Sequence, residues 1–301
     1  LKKKSIKKIF LPSYLCPELL YPIKKLDFEI EFYNVNFDKI VDINFKKDSL
    51  ILIIHYFGKN LSNISQIEKN LKANSYIIED LSHVYLNNKF KKLNSSKNYF
   101  FTMRKHFGCM YGGFSNLNIK NKNKLNKNDI YEDVLKNAFL KFNYIKNYNN
   151  KLKFVEDTYL DSFKKFESKI AKKYTQIKIP QNVIKRIKNE NYENVILRRQ
   201  TNWKIIDQHL KNKFEKVFSN YSKTEVPLGY VIMTNKRDKI KERLIRKGIF
   251  TPIHWSLPNR INISNFPKSF QNSKRILTIP IDQRYSSEQI SLLAEVVKKV
   301  I

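Results

Sequence analysis

The run from Leu50 to Tyr56 is almost unbroken in apolar residues and is closed by Gly58. A strand that is apolar on both faces has to be covered on both, as in the interior of a parallel sheet with helices on either side. The neighbouring segments fit that reading. Lys8 to Leu11 is a short β-like run ending at Pro12-Ser13, and Phe28 to Val35 alternates as a strand does. Ser62 to Lys72 has helical spacing through Ile64, Ile67 and Leu71 behind a serine cap. Ser75 to Ile78 and Tyr99 to Met103 read as further strands, ending in Glu79-Asp80 and Arg104-Lys105. This alternation predicts an α/β fold with a mostly parallel sheet, whose sites gather at the carboxyl ends of the strands.

Beyond this core, the lysine- and asparagine-rich stretch Asn116 to Asn128 reads as an exposed loop. Asp129 to Lys173 is helical in period, with an interruption around Lys146 to Lys151, and a further helix spans Gln181 to Phe214 with a break near Asn189 to Asn191. The remainder is a compact α+β unit. It has a strand at Gly229 to Thr234, a helix at Lys236 to Lys247 closed by Gly248, strands at Ile249 to His254 and Arg275 to Ile281, and a last helix from Ser286. The expected division is a large domain over 1–145, a helical linker over 146–190 and a small C-terminal domain over 191–301.

Lysine and arginine outnumber acidic residues by 58 to 27, a formal charge of +31. Such an excess suggests nucleic acid or an anionic membrane as partner. Here the lysines are interleaved with asparagine and isoleucine along the whole chain, which is the pattern of a solvated surface, and no specific nucleic-acid partner is expected. A polyanionic substrate would suit the same surface. No apolar run approaches the roughly 18 residues of a membrane span. The basic N-terminus leads into Pro12-Ser13 and not into a cleavage site, so no signal peptide is expected. Two cysteines, Cys16 and Cys109, without metal-ligand spacing, argue for a reducing, cytoplasmic setting with neither disulfide nor zinc site.

Three strand ends carry polar residues that packing does not demand: His55 to Gly58, Glu79 to His83, and Thr102 to His106 followed by Gly112-Gly113. Singly, each has a plain structural explanation, as a helix cap, a solvent-facing lysine or a core histidine. Together they place a carboxylate at one strand end and a lysine at another, which is what a pyridoxal 5'-phosphate (PLP) site requires. The carboxylate keeps the pyridine nitrogen protonated, and the lysine forms the Schiff base and later moves a proton as general acid and base. Neither a Walker loop nor G-x-G-x-x-G is present to bind a nucleotide in those ways.

With these residues in place, the sequence resembles the DegT/DnrJ/StrS family of PLP-dependent aminotransferases, in order over nearly the whole chain. Leu11 to Cys16 is similar to the family's segment after an early strand, which would make Tyr14 the aromatic that stacks on the cofactor ring. Ile54-His55-Tyr56-Phe57-Gly58 matches its His-x-x-Gly strand end. Ile78 to His83 is similar to its Glu-Asp-Ala-Ala-Gln/His motif, placing Asp80 on the pyridine nitrogen and His83 near the phenolic oxygen. Phe101 to Lys105 with Gly112-Gly113 resembles the Schiff-base lysine and its paired glycine. Arg198 to Asn202, Gly248-Ile249 with Pro252 to Trp255, and Leu277 to Pro280 with Ser286 to Leu292 are similar to the small domain's elements, Pro252 to Trp255 matching its turn into a substrate-facing strand.

The resemblance implies fold type I, a homodimer, and amination of a nucleotide-linked keto-sugar, with an amino acid, glutamate, as donor, for surface polysaccharide assembly. It also implies that the cofactor-phosphate loop precedes Leu1. Three features depart from the family pattern. That loop lies outside this sequence, Phe100 stands where a phosphate-binding serine is usual, with Thr102 as the nearest substitute, and Phe114 to Asn128 has no clear Asn-Tyr-Arg counterpart. These departures keep two alternatives open: a truncated or degenerate, non-catalytic protein of the same fold, and a basic nucleic-acid-binding protein.

Overall fold

The computed structural model describes residues 6–24, 26, 28–40, 46–87, 98–107, 112–117, 129–147, 153–172 and 181–300. The described residues form two compact units. The first joins residues 1–106 and 114–117 with 191–301, and the second holds 107–113 and 118–190.

The first unit is built on a sheet whose strands are β1 (Lys8–Pro12), β2 (Glu29–Tyr33), β5 (Ser49–Ile54), β6 (Tyr76–Asp80), β7 (Asn98–Thr102) and β8 (Gly113–Ser115), in the order β2-β1-β5-β6-β7-β8. The pairs from β2 through β7 are parallel, as the alternation of elements predicted. Every residue of β1 and β5 is buried, which is why the Leu50 run carries no alternation. The expected strand Phe28 to Val35 resolves into β2 and a short hairpin, β3 (Val35–Asn36) with β4 (Lys39–Ile40). The helix expected over Ser62 to Lys72 is shorter, and forms α2 (Ile64–Lys69) after the small α1 (Leu20–Lys24).

Gly58 ends the β5 segment at φ +100°, in the region that disfavours side chains, and a Cβ there would stand 2.2 Å from the Val226 carbonyl oxygen. The Leu228 amide donates to the Phe57 carbonyl at 3.0 Å, so the sheet edge is stitched to the C-terminal half at the point where glycine is required.

That half packs around α6 (Tyr192–Leu210), capped by the Asn191 side chain accepting the Asn194 amide hydrogen at 3.0 Å. A second sheet, β11-β10-β9, is antiparallel and consists of β9 (Glu215–Lys216), β10 (Tyr230–Met233) and β11 (Ile276–Ile279). It is flanked by α7 (Arg237–Arg246), α8 (Pro267–Arg275) and α9 (Ser287–Val300). Their shared core includes Trp203, Ile206, Ile240, Leu244, Ile290 and Val297. The strand expected at Ile249 to His254 is instead irregular backbone. Pro252 has no N–H for a ladder, and its carbonyl accepts one hydrogen bond, from the Thr278 amide at 3.2 Å.

In the second unit α3 (Asp129–Lys146) and α4 (Lys153–Lys172) pack together, with Tyr144 stacked on Tyr159 at 5.8 Å. The helix expected from Gln181 to Phe214 breaks where asparagines invite a cap, into α5 (Gln181–Lys188) and α6. Most of the expected Asn116 to Asn128 loop, like Gly108 and Cys109, lies outside the described residues. No helix among the described residues is long and apolar enough to cross a membrane.

Candidate active site

Three neighbouring parallel strands deliver the polar cluster. His55 follows β5, Asp80 ends β6 and Thr102 ends β7. Ile54 is opposite Asp80, and Asp80 opposite Phe100, so the segments after these strands leave the sheet along one edge.

Asp80 turns the chain there, its Oδ1 accepting the Ser82 amide hydrogen at 2.9 Å. The turn brings His83 under the end of β5, where its Nδ1 accepts the Phe57 amide hydrogen at 3.0 Å. Thr102 braces the facing turn, donating its amide to Ser82 Oγ at 3.3 Å and accepting the Arg104 amide hydrogen on Oγ1 at 3.3 Å. Lys105 then reaches back, with Nζ 2.5 Å from His83 Nε2.

The protonation of this pair follows from its partners. A neutral imidazole carries one N–H, and Nδ1 is already an acceptor, so the hydrogen is on Nε2 and points at the lysine. The lysine must offer a lone pair. An ammonium has none, so this contact favours the amine form of Lys105. Burial pushes its pKa below the ordinary lysine value, and the Asp80 charge opposes that shift. Burial also holds His83 well below the usual histidine range, and the Lys105 charge would lower it further.

Tyr14 is wholly buried, its ring near Phe37, Tyr56 and Trp255. Its hydroxyl donates to the His254 carbonyl. Burial raises its pKa, so the phenol stays neutral. Behind the edge, His55 and Glu79 pair at 2.8 Å, and both are buried.

All five residues picked from the sequence, Tyr14, Asp80, His83, Thr102 and Lys105, lie in this first unit, and His83 and Lys105 are in direct contact. Others were not singled out. Trp255 stacks on His83 at 5.3 Å and lies with its ring centre 5.2 Å from Lys105 Nζ. His254 donates to or accepts from Thr278 Oγ1 at 2.9 Å, and its pKa is pushed down to about 3, chiefly by burial. Arg199 is buried on α6 and donates to the carbonyls of Leu228 at 3.1 Å and Lys105 at 3.5 Å, and to Gln283 Oε1 at 2.9 Å. Gln283 donates in turn to the His106 carbonyl at 2.6 Å, so together they hold the turn that carries Lys105.

A signal for Arg199 existed in the sequence. It falls on the same helical stripe as the buried Val195, Trp203, Ile206 and Leu210, where a charged residue needs a reason. Trp255 closes the stretch Pro252 to Trp255 noted for its likeness to a substrate-facing turn, but its place beside Lys105 depends on the path of irregular backbone.

The chemistry of this donor set fits PLP. It offers a carboxylate for a pyridine nitrogen, an N–H on His83 for a phenolic oxygen and an unprotonated amine for an aldehyde.

A lysine amine and a carboxylate at the ends of neighbouring parallel strands, on this sheet order, mark the architecture of fold type I PLP-dependent enzymes, and the chain has that fold. More particularly, it is the fold of the DegT/DnrJ/EryC1/StrS sugar aminotransferases. A DegT DnrJ EryC1 StrS aminotransferase from Brucella abortus superposes with TM-score 0.60 at 15% identity, over 99% of this chain and 81% of that one. DesV from S. venezuelae, in complex with a ketimine intermediate, matches with TM-score 0.62 at 13% identity, over 97% and 78%. The E. coli GDP-4-keto-6-deoxy-D-mannose-3-dehydratase with bound hydrated PLP matches with TM-score 0.60 at 15% identity, over 98% and 80%. No family model and no curated protein matches the chain by sequence.

Proposed function

We propose that this chain is a PLP-dependent transaminase with Lys105 as its cofactor lysine. The observation that carries the proposal is the His83–Lys105 contact at 2.5 Å, which brings a lysine and an imidazole together at the strand edge that also bears Asp80. The cofactor, when bound, supplies an electron sink for charge developing at the amino-bearing carbon. Asp80 would hold the pyridine nitrogen, His83 the phenolic oxygen, and Tyr14 would flank the ring. Thr102 is the hydroxyl nearest in sequence to the phosphate role. Lys105 Nζ would supply the amine that holds the cofactor through its aldehyde, with loss of water, and would afterwards carry the proton to and from the amino-bearing carbon.

The substrate reading is a nucleotide-linked keto-sugar aminated from an amino acid, with glutamate as donor, in a cytoplasmic step toward surface polysaccharide. It is supported by the GDP-linked keto-sugar and the sugar aminotransferase in the names of similar structures and by the +31 charge, which suits a polyanion. We further read the functional form as a homodimer in which 1–145 binds the cofactor, 146–190 links, and 191–301 acts as the small domain. The exposed stripe Leu135, Phe139, Phe142 and Ile145 on α3 is apolar surface suited to a second copy.

The test is direct. Protein mixed with PLP should develop a visible absorbance band, and borohydride reduction should leave a mass increment on a peptide containing Lys105, with both lost in Lys105→Ala. Absence of the band and the increment from the folded protein overturns the reading.

A further inference from the structure

Tyr14, His83 and Lys105, the residues expected around a cofactor ring, all have the same ring of the chain beside them. Trp255 lies 5.3 Å from His83, nearly parallel at 26°, and 5.8 Å from Tyr14. Its ring centre is 5.2 Å from Lys105 Nζ. A planar ring inserted between two others needs their centres about 7 Å apart, twice the ~3.5 Å contact distance of carbon atoms. Neither pair reaches that. A cofactor ring therefore cannot lie between Trp255 and either partner while the indole stays where it is.

We propose that Trp255 is an intrinsic competitor for the ring site, and that it must leave the space beside Tyr14 and His83 before a planar pyridoxal ring can reach Lys105. This rests on the reading of Lys105 as the cofactor lysine. The backbone around Trp255 is suited to such a move, because residues 249–258 form no helix or strand. Around the indole it is held by the Thr278 amide to the Pro252 carbonyl at 3.2 Å, by His254 to Thr278 Oγ1 at 2.9 Å, by the Tyr14 hydroxyl to the His254 carbonyl, and by ring contacts with Tyr56, Phe57 and His83. The Tyr14 hydrogen bond ties the segment to the residue expected to flank the cofactor, so moving the indole and freeing the Tyr14 ring are one event.

The sequence holds two tryptophans, and the other, Trp203, lies in the C-terminal core, so a Trp203→Phe background makes emission report on Trp255 alone. Titration with PLP should move that emission to longer wavelength, as the indole passes to water, with the same midpoint as the visible absorbance band. In Trp255→Ala the band should form at least about tenfold faster, or at about tenfold lower PLP, with Trp255→Leu as a second variant in case the first fails to fold. A band that forms at the same rate and midpoint in wild type and in a folded Trp255 variant overturns the inference alone. So does emission that stays fixed while the band grows. A band in neither wild type nor the variants overturns the cofactor reading and this inference with it.

Discussion

His83 Nε2 stands 2.5 Å from Lys105 Nζ, and the Phe57 amide, donating to His83 Nδ1 at 3.0 Å, favours the tautomer that turns an N–H toward the lysine. The lysine's reactivity is thus set from the backbone at the end of β5. The consequences can be measured.

Replacing His83 by glutamine puts an amide oxygen within reach of Nζ, and that oxygen can accept from an ammonium. The folded pKa of Lys105 then rises. The pH midpoint for formation of the borohydride-trapped adduct should move up by about one unit, slowing the reaction at neutral pH about tenfold. An unchanged midpoint in folded His83→Gln protein would refute the assignment of the hydrogen.

Buried histidines give stability a pH dependence of known sign. Burial depresses His83 and His106 well below the usual value, so the unfolded chain takes up protons first as pH falls. Stability should be full above the unfolded value of about 6.5 and should decline below it. Between about pH 7.5 and 5.5 each of the two costs about 1.4 kcal/mol, read as a lower urea midpoint in acid. His254, pushed down to about 3, adds to the same decline. His106→Gln keeps an N–H for the Ser82 carbonyl, which His106 now meets at 3.1 Å, and should remove its own share of the slope.

Gly58→Ala should destabilise by about 2 kcal/mol or more, because the added Cβ meets the Val226 carbonyl oxygen at 2.2 Å and the φ of +100° is strained for any side chain. The unfolding midpoint should fall, and so should retention of PLP, because the Phe57 amide that orients His83 is the adjacent residue's. Wild-type stability in this variant would show that the close approach relaxes freely.

The buried His55–Glu79 pair should respond unequally to substitution. His55→Ala leaves a carboxylate buried without its 2.8 Å partner and should cost about 3–5 kcal/mol. Glu79→Gln keeps an acceptor for the His55 N–H and should cost much less. Equal losses in chemical denaturation would mean that the carboxylate is not carried as a charge.

The parallel sheet was legible in the sequence because burial on both faces leaves its mark directly on composition. Leu50 to Tyr56 had to be interior wherever the rest of the chain went, and β5 with all six residues buried is that statement in three dimensions. The strand ends were legible for the same reason: an apolar run stopping at Glu79-Asp80 or Arg104-Lys105 marks where the chain leaves the core. The irregular path of Ile249 to His254 was not. Its alternation looked like a strand, and the missing ladder follows from the donor that Pro252 lacks and from neighbours far along the chain.

By itself, then, the sequence determined the run of buried strands β1, β5, β6 and β7, though not the helix α8, and placed Asp80, Thr102 and Lys105 at neighbouring strand ends, because local hydrophobic period is a property of consecutive residues. Tertiary structure alone decided that Lys105 meets the imidazole of His83 and that Trp255 rests beside it. Each depends on atoms brought together from distant segments: the Phe57 amide on His83, and irregular backbone laid across Tyr14. No pattern along the chain records such meetings, since packing and desolvation act on what is near in space.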